Sequence, residues 1–145
     1  MNSKIEQLLP HRPPMIMIDS IVQFDEDSAT ATKTFTSGEY GVIKGDILES
    51  LLIESLAQTV AALHGHHARQ FGGQTPQGML VGVNNFEFYN KVKLDEKIEL
   101  TVKITKCLGP FRLASGQIKQ GSTLIAQGGV KFYIEENSDE TKAAP

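Results

Sequence analysis

Tryptophan is absent from this 145-residue sequence, aromatic residues make up only 7%, and there is a single cysteine, Cys107. One thiol excludes an intramolecular disulfide and matches a reducing compartment. No apolar run reaches the ~18 residues of a membrane-spanning helix. Met1 to Pro14 lacks the apolar core of a signal peptide. A cytoplasmic protein without membrane association is therefore expected. Basic charge is not in excess either: 14 Lys and Arg stand against 17 Asp and Glu, a net charge of -3. That balance argues against a nucleic-acid binder. What remains is globular, with 40% hydrophobic and 21% charged residues, in a chain of one-domain length. There is no internal repeat and no linker. Residues 1–135 are expected to form one domain and 136–145 a polar C-terminal tail.

Ser3-Lys4-Ile5-Glu6 has the pattern of a capping box, and Pro10 stops the short helix it would open. Met15 to Gln23 and Ser28 to Phe35 are strand-like and flank the turn residues Asp25-Glu26-Asp27, which predicts an antiparallel hairpin. Thr36 to Gly45 has no periodicity and reads as a loop. Ile47 to Phe71 is the one long helical segment. Asp46 and Glu49 resemble a second capping box, and Gly72-Gly73 a stop. Leu48, Leu52, Leu56, Val60 and Leu63 form an apolar stripe. Further Leu, Ile and Ala residues occupy the other faces, so the helix is expected to be buried. After Gly78 the period changes to two. Strands are predicted over Met79 to Tyr89, Ile98 to Thr105, Phe111 to Gln120 and Thr123 to Glu135. A short helix, a hairpin, a long buried helix and four antiparallel strands bury that helix only if a curved sheet wraps it. The expected class is α+β, specifically a hot-dog fold: a long central helix wrapped by a curved antiparallel sheet. A lone copy leaves sheet edges uncovered, so a dimer or higher oligomer is expected.

Three stretches carry a resemblance to a known family. They are Leu9-Pro10-His11-Arg12-Pro13-Pro14-Met15-Ile16-Met17-Ile18-Asp19, then Leu52-Ile53-Glu54-Ser55-Leu56-Ala57-Gln58, then Leu80-Val81-Gly82-Val83-Asn84-Asn85-Phe86-Glu87-Phe88. In this order they resemble the 3-hydroxyacyl-(acyl carrier protein) dehydratases of fatty-acid synthesis. Gly65 to Arg69 and Gly78 to Phe88 are similar to a divergent branch found with aryl-polyene synthesis. The resemblance implies a hydro-lyase acting on or binding acyl thioesters of acyl carrier protein or coenzyme A, with no cofactor and no metal. It also implies Glu54 as the helix carboxylate of the site. One departure stands out. The family carries an active-site His followed by Phe-Pro-Gly in the loop before the helix, and its spacing from Glu54 lands here on Tyr40. No His lies between Arg12 and Leu63. In the family the loop His and helix Glu of one site come from different subunits. This chain is then either an enzyme using other groups, a partner subunit completed by a His-bearing hot-dog protein as a heterodimer, or a thioesterase.

Loss of water from a 3-hydroxyacyl thioester needs a base beside the carbonyl and an acid at the β-hydroxyl. Glu54 is the leading candidate, since burial among Leu51, Leu52, Ile53 and Leu56 would raise its pKa toward a useful range. Ser50, Glu54, Ala57, Gln58, Ala61, Gly65 and Ala68 form a narrow polar and small-residue strip. It is suited either to a pocket for a pantetheine arm or acyl chain, or to a helix–helix seam. Gln58 would orient Glu54. The helix start near Asp46 and Ile47 is a candidate oxyanion site. Tyr40 is an acid, a group that orients a water, or an ordinary loop tyrosine. By the resemblance His11 is structural. His64 and His67 share a face as a possible metal pair without a visible third ligand, or are solvated or core residues. Cys107 reads as filler. Lys91, Lys93, Lys103, Lys106, Arg112, Lys119 and Lys131 form either a docking rim for an acidic carrier or a solvated sheet face.

Overall fold

The computed structural model describes residues 3–135; the 136–145 tail and the Ser3 side chain expected to cap the first helix lie outside the described residues. The chain opens with α1 (Ser3–Leu8). A segment running to Asp19 follows, without regular structure, and leads into β1 (Ser20–Phe24) and β2 (Ser28–Thr34). The turn chemistry between the two strands forms the expected hairpin. The first strand starts later than its apolar pattern predicts. The backbone of Met15 and Met17 is bonded to the Gln58 side chain instead of to a neighbouring strand.

The stretch read as a plain loop contains a minimal hairpin, β3 (Val42–Ile43) with β4 (Asp46–Ile47). This displaces the helix start. The helix α2 runs over Glu49–Gln70, with Leu48 at its N-cap and no side-chain cap bond. The expected Asp46–Glu49 capping box is therefore absent, because Asp46 pairs with Ile43 in the hairpin. At the other end Gly72 has φ 74°, and the amides of Gly72 and Gly73 bond back to Arg69 and Ala68. With 22 residues, α2 is about 33 Å long.

Four long strands complete the sheet: β5 (Gln77–Phe88), β6 (Lys97–Leu108), β7 (Phe111–Gln120) and β8 (Thr123–Glu135). The sheet order is β1-β2-β6-β7-β8-β5, antiparallel throughout. In β6, Ile98, Leu100 and Val102 are buried while Glu99, Thr101 and Lys103 are exposed. The buried side chains of β2, β6 and β7 meet Leu52, Leu56, Val60 and Leu63 of α2 in one core. Bulges in β5, β6 and between β7 and β8 bend the strands around it.

Two glycines allow close approach. Gly116 of β7 faces Leu56, and Gly65 of α2 faces the Leu8 carbonyl; a methyl group at either would overlap its neighbour. Buried Ser55 and Thr59 donate to the carbonyls of Leu51 and Ser55 at 2.8 Å, so the helix satisfies its own internal hydroxyls. The architecture is the α+β hot-dog fold read from the sequence. Among the described residues no helix is long and apolar enough to cross a membrane.

Candidate active site

Gln58 organises the site. Its side chain is fully buried. Oε1 accepts from the Met17 amide at 2.7 Å, and Nε2 donates to the Met15 carbonyl at 2.7 Å and to Glu54 Oε1 at 3.0 Å. One amide thus ties the irregular Pro10–Asp19 segment to α2 and holds Glu54 from one side. Residues 54 and 58 are one turn apart, the spacing that lets such side chains meet.

The segment so held carries His11, whose Nε2 lies 3.4 Å from Glu54 Oε1. That separation is at the long end for a hydrogen bond, and the contact is an ion pair when His11 is protonated. His11 Nδ1 is buried and has no hydrogen-bond partner among the described residues. Burial alone would raise the Glu54 pKa. The hydrogen bonds from His11 and Gln58 and the charge of His11 outweigh burial together and hold the carboxyl below its ordinary value. This corrects the expectation of a raised pKa, which counted the apolar neighbours on α2 but not the partners arriving from the N-terminal segment.

His11 and Glu54 line a cavity of about 240 Å³. Ala57, Val60 and Ala61 of α2 form one wall. Gly78, Met79 and Leu80 of β5, with Phe132 and Ile134 of β8, form the other. His64 also borders it. Its Nδ1 is 3.0 Å from the Val60 carbonyl. Burial lowers the His64 pKa; the Val60 bond opposes this, and the charges of Arg112 and His67 add to it.

The other residues singled out in the sequence fall elsewhere. Glu54, Ala57 and Ala61 reach the cavity, but Gln58 lies behind them and Ser50 is exposed in the first turn of α2. Gly65 is taken up by α1. Asp46 and Ile47 border a separate cavity of about 180 Å³ with Phe88 and Lys91, and Lys91 Nζ sits 3.4 Å from the Asp46 carboxylate. Tyr40 is 57% exposed and borders a third hollow near Pro13 and Asp19. Its loop is tied down beside it. Glu39 accepts from buried Lys33 at 2.7 Å and from the Thr36 amide and hydroxyl. Burial would raise the Glu39 pKa, but these partners lower it.

His66 stacks on Phe24 with ring centroids 4.0 Å apart. No three His, Cys, Asp or Glu side chains converge as metal ligands among the described residues. Cys107 is exposed at the end of β6 rather than filling the core. Of the basic residues, Lys103 approaches Asp27 and Lys131 covers the Phe111 ring. Met79, Leu80, Phe132 and Ile134 were legible as strand residues, but nothing in their alternation marked them as cavity walls.

The hot-dog fold thus sets a carboxylate, Glu54, and an imidazole, His11, on the wall of a mostly apolar slot beside its central helix. The family model described as ApeP dehydratase matches residues 3–143. The chain belongs to the ApeP-like dehydratase family. It is 30% identical to the 3-hydroxyacyl-(acyl-carrier-protein) dehydratase FabZ of Bacillus velezensis, over 92% of this chain and 96% of that protein. It is 27% identical to the FabZ of Clostridium beijerinckii, over 92% and 97%. Among solved structures it resembles the dehydratase heterocomplex ApeI:P from Xenorhabdus doucetiae, with TM-score 0.85, 16% identity and 95% of each chain covered. It also resembles a hypothetical thioesterase with coenzyme A from Streptococcus pneumoniae, with TM-score 0.66, 8% identity, and 81% and 86% covered. These structural likenesses speak to the fold.

Proposed function

We propose that this chain removes water from 3-hydroxyacyl thioesters carried on acyl carrier protein or coenzyme A, with Glu54 and His11 as its acid–base pair. The observation that carries the reading is their 3.4 Å contact on the wall of an otherwise mostly apolar cavity. A carboxyl held below its ordinary pKa is ionised at neutral pH and accepts a proton. Glu54 takes the proton from the carbon beside the thioester carbonyl. The electron pair forms the new carbon–carbon double bond, and the β carbon–oxygen bond breaks. The hydroxyl leaves as water with a proton from the His11 imidazolium. Transfer of the proton on Glu54 to His11 across their contact restores the pair. Substrate and acyl chain lie along the small residues Ala57 and Ala61, which leave room on that face of α2.

A second reading has its own support. The loop that holds the family's His has none here and is pinned by Lys33 and Glu39. The edge strand β5 exposes Met79 at the cavity and Val81 and Val83 further along the strand, on a sheet edge of the kind that takes a neighbouring strand. In this reading β5 joins a second hot-dog subunit. The chain contributes Glu54, with Gln58 and His11 positioning it, and a His-bearing partner contributes the base.

Incubating the full-length protein with 3-hydroxydecanoyl pantetheine and weighing the products by mass spectrometry tests both. Water loss by the chain alone supports the first reading. Water loss only after adding a His-bearing hot-dog protein supports the second and overturns the first. Release of free thiol marks a thioesterase and overturns both, as does no reaction in either mixture.

A further inference from the structure

The cavity has a second polar feature that the dehydration chemistry does not use. Ala57, Ala61 and His64 follow Glu54 at intervals of three, seven and ten residues on α2, which puts all four on one face of the helix. All four line the same cavity. The walls between the two polar groups are apolar: Val60, Met79, Leu80, Phe132 and Ile134. The slot is therefore polar where Glu54 and His11 stand and polar again at His64.

The state of His64 follows from its contacts. The Val60 carbonyl can only accept, so Nδ1 carries the proton in their 3.0 Å contact. Burial, Arg112 and His67 all disfavour a second proton on the ring. The neutral ring then offers Nε2 as an acceptor. Nε2 has no hydrogen-bond partner among the described residues, and it is not sealed off inside the protein.

Ten residues of helix separate Glu54 from His64 by about 15 Å. A hydrogen-bond distance of about 3 Å at each end leaves about 9 Å between the reacting carbons and the far polar group. We infer that His64 is a specificity-determining residue that selects medium-length acyl chains ending in a hydrogen-bond donor, such as a hydroxyl. This rests on the cavity being the acyl site of the proposed function. An apolar chain end would leave Nε2 facing hydrocarbon without a partner, which costs binding free energy.

The test separates binding from chemistry. Affinities of the full-length protein are measured for decanoyl pantetheine and 10-hydroxydecanoyl pantetheine, which have no β-hydroxyl to eliminate. The expected result is a preference for the hydroxylated chain of about 3- to 10-fold, the size of one hydrogen bond. His64→Phe should abolish the preference, and His64→Gln, which keeps an acceptor, should restore part of it. Circular dichroism checks that both variants fold. If His64→Phe does not, the wild-type preference across hydroxylated chains from hexanoyl to dodecanoyl decides, and it should peak at an intermediate length. No preference in the wild type, a preference retained in folded His64→Phe, equal preference at every length, or no binding of either chain overturns the inference. A preference without any turnover of 3-hydroxydecanoyl pantetheine, either alone or with the His-bearing partner added, overturns the dehydratase reading and leaves this one standing. Turnover without a preference does the reverse.

Discussion

Replacing Gln58 by leucine should unfasten the N-terminal segment from α2 while leaving the core filled. Leucine is of similar size and apolar, so little cavity cost is expected. The loss lies in the hydrogen bonds. The buried Met17 amide loses its acceptor, at about 1–3 kcal/mol for an unsatisfied buried donor. The Met15 carbonyl and the Glu54 carboxylate each lose a donor. Both are partly open to water and can rehydrate, so about 0.5 kcal/mol each is reasonable. The sum is about 3 kcal/mol. For a chain near 150 residues, each kcal/mol moves Tm by about 2–4 °C, so Tm should fall by about 6–12 °C. Calorimetry of wild type and Gln58→Leu at equal protein concentration measures this, since any oligomer makes Tm concentration-dependent. The Glu54 pKa should also rise in the variant, because the Gln58 bond is one of the causes holding it down. A variant that melts within about 2 °C of the wild type would refute the clamp.

Two further outcomes follow from the same geometry. The folded Glu54 pKa lies below its ordinary value of 4.5. Wild type should therefore be more stable than Glu54→Gln above that pH, and the advantage should fade as pH falls through the lower folded value. Urea unfolding of both proteins between about pH 3 and 7 reads this, and an advantage that instead grows toward acid contradicts it. Gly65→Ala gains about 1 kcal/mol of helix propensity, but its methyl overlaps the Leu8 carbonyl where α1 crosses α2. Overpacking of about 1–3 kcal/mol should leave the variant less stable than wild type by chemical unfolding. Equal or greater stability would show that α1 can shift freely.

The architecture was legible in local patterns, and the site only in part. The Leu52-Leu56-Val60-Leu63 stripe and the Ile98-Leu100-Val102 alternation each lie within one element, so periodicity reveals which face is buried. Glu54 stood out because a carboxylate amid leucines needs partners. Those partners could not be read from α2. Gln58 binds backbone 41 and 43 residues away, and His11 reaches Glu54 only because that clamp folds its segment back. The same clamp explains why Met15 to Ile18, strand-like in composition, does not join the sheet. Asp46 failed as a cap for a related reason: Val42 and Ile43 offered its backbone a strand partner. The order of strands in the sheet was hidden too, since β5 pairs with the last strand and not with the next one. That pairing is what brings Met79 and Leu80 to the face of the helix carrying Glu54 and His64.

Everything proposed for the reaction depends on the Glu54 carboxyl moving a proton in the His11-lined cavity. The most direct measurement is the appearance of 2-enoyl thioester, by ultraviolet absorbance, from 3-hydroxydecanoyl pantetheine with wild type and Glu54→Gln, with or without the partner subunit as the wild type requires. The glutamine keeps the shape and the bond to Gln58, so the fold should survive. The rate should fall by about 10²–10⁴-fold, the contribution of a positioned acid–base group. A folded Glu54→Gln protein that forms enoyl product at the wild-type rate would contradict the assignment.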